Sequence, residues 1–164
     1  MTVRVRPARP DDFEAIARVS VAAYEADGQL KGEHGYGQVL ADVAPRAAAG
    51  EMLVAVDEAD TVLGSVTFVL PGTAYAELSG AGEAEFRMLA VDPAGQGRGV
   101  GAALVRACVD RASELGCHAI VICVRKGHAE PAHRLYARLG FVRTPDRDWS
   151  PLPGVDLLAL RLTL

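Results

Sequence analysis

Apolar and charged positions alternate through Val3-Arg4-Val5-Arg6, the pattern of a short half-buried strand, and Pro7-Ala8-Arg9-Pro10 ends it. Phe13, Ile16, Ala17, Ser20 and Tyr24 then recur at three- and four-residue steps, which predicts a helix capped by Asp11. Residues 27–37 carry four glycines and no period, and read as a loop. Val39, Leu40, Val43 and Ala47 suggest a second helix, kinked or restarted by Pro45. The β-branched runs 51–57 and 61–70, separated by Glu58-Ala59-Asp60, predict a hairpin. A Gly- and Ala-rich connection over 71–82 leads into a fourth strand, 83–91, whose end is wholly apolar and which Asp92-Pro93-Ala94 breaks.

From Val100 onward Leu104, Cys108, Ala112 and Leu115 follow helical spacing, and Gly116 sits where a left-handed C-cap belongs. The continuous apolar run 119–124 has the pattern of a strand covered on both faces, so strand, helix and strand form a right-handed crossover with a parallel pair. Pro131 starts a short helix through Leu139, Gly140 stops it, and Phe141-Val142-Arg143 with 155–162 closes the sheet as a terminal hairpin. The predicted order is β-α-α-β-β-β-α-β-α-β-β.

A chain of 164 residues with 50% hydrophobic content fits one domain over 1–164. A formal net charge of −4 argues against nucleic acid as a partner and suits a cationic amine. No stretch reaches the roughly 18 apolar residues of a membrane span, nor is there a signal-peptide core, so the expectation is a cytoplasmic protein without membrane contact. Cys108, Cys117 and Cys123 read as reduced thiols filling apolar space. The four histidines show no metal-ligand spacing, and no metal is expected.

Between the apolar run 88–91 and the helix lies Gln96-Gly97-Arg98-Gly99-Val100-Gly101. Alternate glycines let successive N–H groups point into one concavity at the positive end of a helix, a geometry that holds a phosphate or pyrophosphate. A dinucleotide fingerprint fails on position, and a Walker loop fails for want of Gly-Lys-Ser/Thr.

The spacing Q-x-x-G-x-G on a strand-to-helix junction resembles the acyl-CoA signature of the GNAT superfamily of N-acetyltransferases, most strongly over residues 83–141. The resemblance implies an α/β fold of the α+β type: a central mixed, mostly antiparallel sheet, a parallel pair of fourth and fifth strands splayed around CoA, and helices on both faces. It implies acetyl-CoA as cofactor, held by the main chain of Gln96, Gly97, Arg98, Gly99, Val100 and Gly101 with Ala102 at the helix start. Leu89, Ala90 and Val91 would pair with the pantetheine arm, and the N–H of Leu89 would face the thioester oxygen.

Glu85 matches the family's strand-four glutamate and is the implied general base, directly or through water; Glu83 shares its face and competes, and such a glutamate also reads as a solvated strand residue or a substrate-positioning anion. Tyr136, in Leu135-Tyr136-Ala137-Arg138-Leu139-Gly140-Phe141, is the implied acid that protonates the leaving thiolate, although a tyrosine at helical spacing also reads as core. The chain departs from the family at Ala129, where an asparagine is frequent; His128 and Glu130 stand beside it. His133 and Trp149 are candidates for the cofactor and the acceptor pocket, against bland readings as a surface residue and a loop anchor.

The implied reaction is direct attack of a small-molecule or peptide amine on the thioester. The acceptor enters between the 27–37 loop, the 71–82 connection and the loop around Trp149. The rival expectation is an acyl-CoA-binding regulatory domain without turnover. Homodimers are common among such proteins, and nothing in this sequence sets the oligomeric state.

Overall fold

The computed structural model describes residues 2–31 and 35–164; Gly32, Glu33 and His34, part of the expected 27–37 loop, lie outside the described residues. Strands β1 (Arg4–Pro7), β2 (Glu51–Val56), β3 (Val62–Val69), β4 (Glu83–Val91), β5 (Ala119–Arg125), β6 (Val142–Arg143), β7 (Trp149–Leu152) and β8 (Val155–Thr163) form one sheet in the order β1-β2-β3-β4-β5-β8-β6, with β7 also on β8. All pairings are antiparallel except β4 with β5.

Helices α1 (Phe13–Ala26) and α3 (Val43–Ala49) belong to one apolar cluster, built on Ile16, Val19, Val54 and Val56, and α2 (Tyr36–Ala41) packs against α1. Helices α4 (Val100–Glu114) and α5 (Glu130–Arg138) belong to the other, built on Leu104, Phe86, Ile120 and Ile122. Two clusters on two faces are what a sheet alternating apolar side chains up and down requires.

The predicted periodic elements are present, with local differences. Asp11 does not cap α1: a 3₁₀ turn over Pro10–Asp12 precedes it, and Asp12 turns back to accept from Arg6 and the Arg9 N–H. The second helix is two, broken at Asp42, and Pro45 falls in the first turn of α3, where its missing N–H leaves no gap. Trp149 is not in a loop but opens β7, an edge strand that tolerates Pro151 because its outer side needs no donor. Gly116, at φ +76, ends α4 as expected, with the Cys117 N–H reaching back to the Ala112 carbonyl.

Two irregularities open the sheet at its centre. Ser65 faces Ala90 and Thr67 faces Arg87, so Met88 and Leu89 together oppose Val66; Met88 takes φ +56, and the strand bends at this bulge. The parallel ladder to β5 extends only over Glu83–Glu85 against Ala119–Val121. Beyond Glu85 the strands part, β5 continuing along β8 to Arg125.

Candidate functional site

The parting of β4 and β5 leaves a cleft of about 560 Å³. Its floor is Phe86 to Val91, its far wall is Cys123 to Arg125, and one end reaches the turn that opens α4. In that turn Gly97 and Gly99 take φ +82 and +76, values that only glycine adopts without strain, and a Cβ on either would meet nothing within 4 Å. The N-cap residue of α4 is Gly99, which has no side chain to turn onto the helix's first N–H groups. Gly101 is small for a different reason: a Cβ there would stand 3.2 Å from Leu135 of α5. Gln96, Gly97, Gly99, Val100, Gly101 and Ala102 all line the cleft with Leu89, Ala90 and Val91, whereas Arg98 is exposed and does not.

Tyr136 also lines the cleft, 5% exposed, with its ring against Phe86 and Phe141. Burial pushes its phenol up, so it stays protonated. Its hydroxyl has no hydrogen-bond partner among the described residues.

Glu85 is placed otherwise than its expected role requires. It is fully buried and does not line the cleft, and its carboxylate accepts from the N–H groups of Glu77, Leu78 and Ser79 and from the Ser79 hydroxyl, at 3.0 to 3.1 Å. A base needs a lone pair aimed at the amine, and this carboxylate lies outside the cleft with four of its five contacts on Oε1. Glu83 is likewise engaged, by Arg147, Arg161 and the Gly80 N–H. Burial alone would raise its carboxyl, but hydrogen bonds from Arg147, the Gly80 N–H and Arg161 bring it down to about 2.

What Glu85 anchors is Glu77. That side chain, 21% exposed, faces the cleft end opposite the cradle and contacts Arg87 Nη2 at 2.7 Å. Burial raises the Glu77 carboxyl more than Arg87 lowers it, with Glu85 adding to the rise. Tyr24, Tyr36 and Cys123 complete this end, and burial pushes the Cys123 thiol up to about 12, which keeps it unreactive. Neither Glu77 nor Arg87 stands out in the sequence. The available signal was the period of two that puts Arg87 beside Glu85 on β4.

Ala129 caps α5 at φ +56, and its N–H donates to Asp27 at 2.8 Å. His128 meets the Asp27 carbonyl, His133 meets the Arg125 carbonyl, and Arg125 reaches the Gln29 carbonyl. The bonds to Asp27 and Gln29 tie the end of β5 and the turn after it to the end of α1. Ala129 lines the cleft, whereas His133 does not; Glu130 is exposed and pairs with Arg134. Trp149 is half-buried beneath the rim, and Pro151 and Leu152 of its strand line the cleft instead. Of the three segments expected at the acceptor entrance, each contributes a lining residue: Asp27 and Tyr36, Glu77, and Leu152. Among the described residues no three His, Cys, Asp or Glu side chains gather as a metal site, and no helix is long and apolar enough to cross a membrane.

Comparison with known proteins agrees with this architecture. A mycothiol acetyltransferase of Propionibacterium freudenreichii is 32% identical over 147 residues, covering 87% of this chain; the chain spans 44% of that protein's length. A GNAT-family acetyltransferase from Staphylococcus aureus superposes with a TM-score of 0.77 at 13% identity, over 99% of both chains. The PaiA N-acetyltransferase of Thermoplasma acidophilum, solved with coenzyme A, gives 0.75 at 14% identity over the whole of both. The model of the acetyltransferase (GNAT) family matches residues 16–141, and the chain belongs to that family.

Proposed function

We propose that the protein transfers an acetyl group from acetyl-CoA to a primary amine by direct attack on the thioester. The observation that carries this reading is the single cleft joining a bare-amide glycine turn, an unpartnered phenol and a carboxylate. The turn fits a diphosphate: left-handed glycines, a helix N-terminus opened by a glycine cap and room for a ligand where a Cβ would stand. Acetyl-CoA would be held by residues 96–102 and by the main chain of Leu89, Ala90 and Val91, and supplies an acyl carbon activated by its thiol leaving group.

The chain's own groups then divide the work. The Leu89 N–H stabilises the charge that grows on the carbonyl oxygen as the amine nitrogen bonds to carbon. The bound ammonium first loses one proton to bulk water, which frees its lone pair; the Tyr136 hydroxyl then gives its proton to sulfur as the carbon–sulfur bond breaks, and the Glu77 carboxylate accepts the second proton that nitrogen loses. Return of that proton from Glu77 to the phenolate through water restores both groups. Positioning in the cleft supplies much of the rate.

Thiol release from acetyl-CoA across an amine panel tests the reading. Tyr136→Phe should cut turnover at least tenfold while acetyl-CoA affinity by calorimetry stays within about twofold. CoA binding without thiol release for any amine would instead favour a binding domain without turnover.

A further inference from the structure

The acceptor end of the cleft is built as a pair of opposite charges, and this pair specifies what the acceptor must carry. Arg87 uses one Nη on the Tyr75 carbonyl at 3.0 Å and the other on Glu77 at 2.7 Å; its other N–H donors have no partner among the described residues. Its side chain is 16% exposed. The pair cannot drift apart, because the Glu77 N–H is bound by the buried Glu85 carboxylate and Arg87 lies two residues further along the same strand.

The charges packed around this end balance. Arg87 from β4 faces Glu77, with the Glu85 carboxylate behind it, and the fully buried Arg46 from α3 feels the charge of Arg87 while donating to the Thr67 hydroxyl and the Leu40 carbonyl; nearer the middle, Asp27 and Arg125 balance in turn, each bound to local groups. A bare cation drawn to Glu77 is therefore repelled by Arg87 and Arg46, and gains little on leaving water. A ligand with both charges pairs its ammonium with Glu77 and its anion with Arg87, turning a two-charge contact into an alternating array. Because the two side chains touch, the ligand's charges must be neighbours too.

We infer that the acceptor is an amine carrying a carboxylate on the adjacent carbon, an α-amino acid or a compound ending in one, read by the Glu77–Arg87 pair. Its remaining substituent lies against the rings of Tyr24 and Tyr36, whose centroids are 5.7 Å apart. The inference rests on the acetyl-transfer reading and narrows it.

The experiment is thiol release by the full chain with saturating acetyl-CoA, comparing α-amino acids, their carboxamides and aliphatic diamines. The acids should exceed carboxamides of the same side chain at least tenfold in kcat/KM, with diamines lowest. In Arg87→Met that acid-to-amide ratio should fall towards one, whatever happens to the absolute rates. Carboxamides or diamines matching the acids in the wild type would overturn the inference and leave acetyl transfer standing. Silence with every amine would remove both.

Discussion

Gly99 carries more of the cradle than its size suggests. Its left-handed backbone turns the chain into α4, and the space beside it is where a Cβ would point. Gly99→Asp should therefore weaken CoA binding at least tenfold, about 1.4 kcal/mol, through a side chain and a negative charge in the anion site. Gly99→Asn, of the same shape and equally tolerant of left-handed backbone, should lose less. Calorimetry gives both affinities; an aspartate variant that binds like wild type would remove the cradle from the account. Gly99 was legible from sequence because a glycine spacing is a backbone statement, read locally. Glu85 was legible as a strand-four carboxylate but not in its contacts. Its five acceptor contacts come from a connection that folds back over β4, and no spacing along the chain encodes that return.

At the scale of elements, the helices followed the apolar period because each buries one face, while β3 and β5, covered on both faces, followed as a β-branched-rich run and a continuous apolar run. The places that differed are where tertiary contacts override local signals: Asp12 drawn from capping by Arg6, and β7 held by β8 despite Pro151. The cap of α5 is a second consequence of element geometry. Ala129 stands at φ +56, a conformation that costs an L-residue with a Cβ about 1 kcal/mol, and its methyl cannot cap the helix. Ala129→Asn should raise unfolding free energy on the order of 1 kcal/mol, since asparagine tolerates that backbone and accepts from first-turn N–H groups. Urea unfolding measures it; an unchanged or lower midpoint would show that the cleft wall cannot take the larger side chain.

For the molecule as a whole, Glu83 ties three segments together: the 80–83 turn, Arg147 after β6 and Arg161 on β8. Its carboxyl lies near 2 when folded against an ordinary 4.5, so the native state resists protonation and the stabilisation is complete above about 4.5. As pH falls from 4.5 to 2 that contribution is lost, up to about 3 kcal/mol. Wild type should exceed Glu83→Gln in unfolding free energy at pH 7, and the gap should close by pH 2. A gap independent of pH would mean that packing rather than charge holds the junction.

Strand β8 borders β5 on one side and both β6 and β7 on the other. During synthesis β5 leaves the ribosome well before β8 does, and until Val155 onward follows, it holds only three residue pairs with β4. A nascent chain thus spends that interval with a naked edge that is apolar up to Arg125, the kind of surface chaperones guard and aggregates recruit. Strand β8 acts as the clasp that closes that edge.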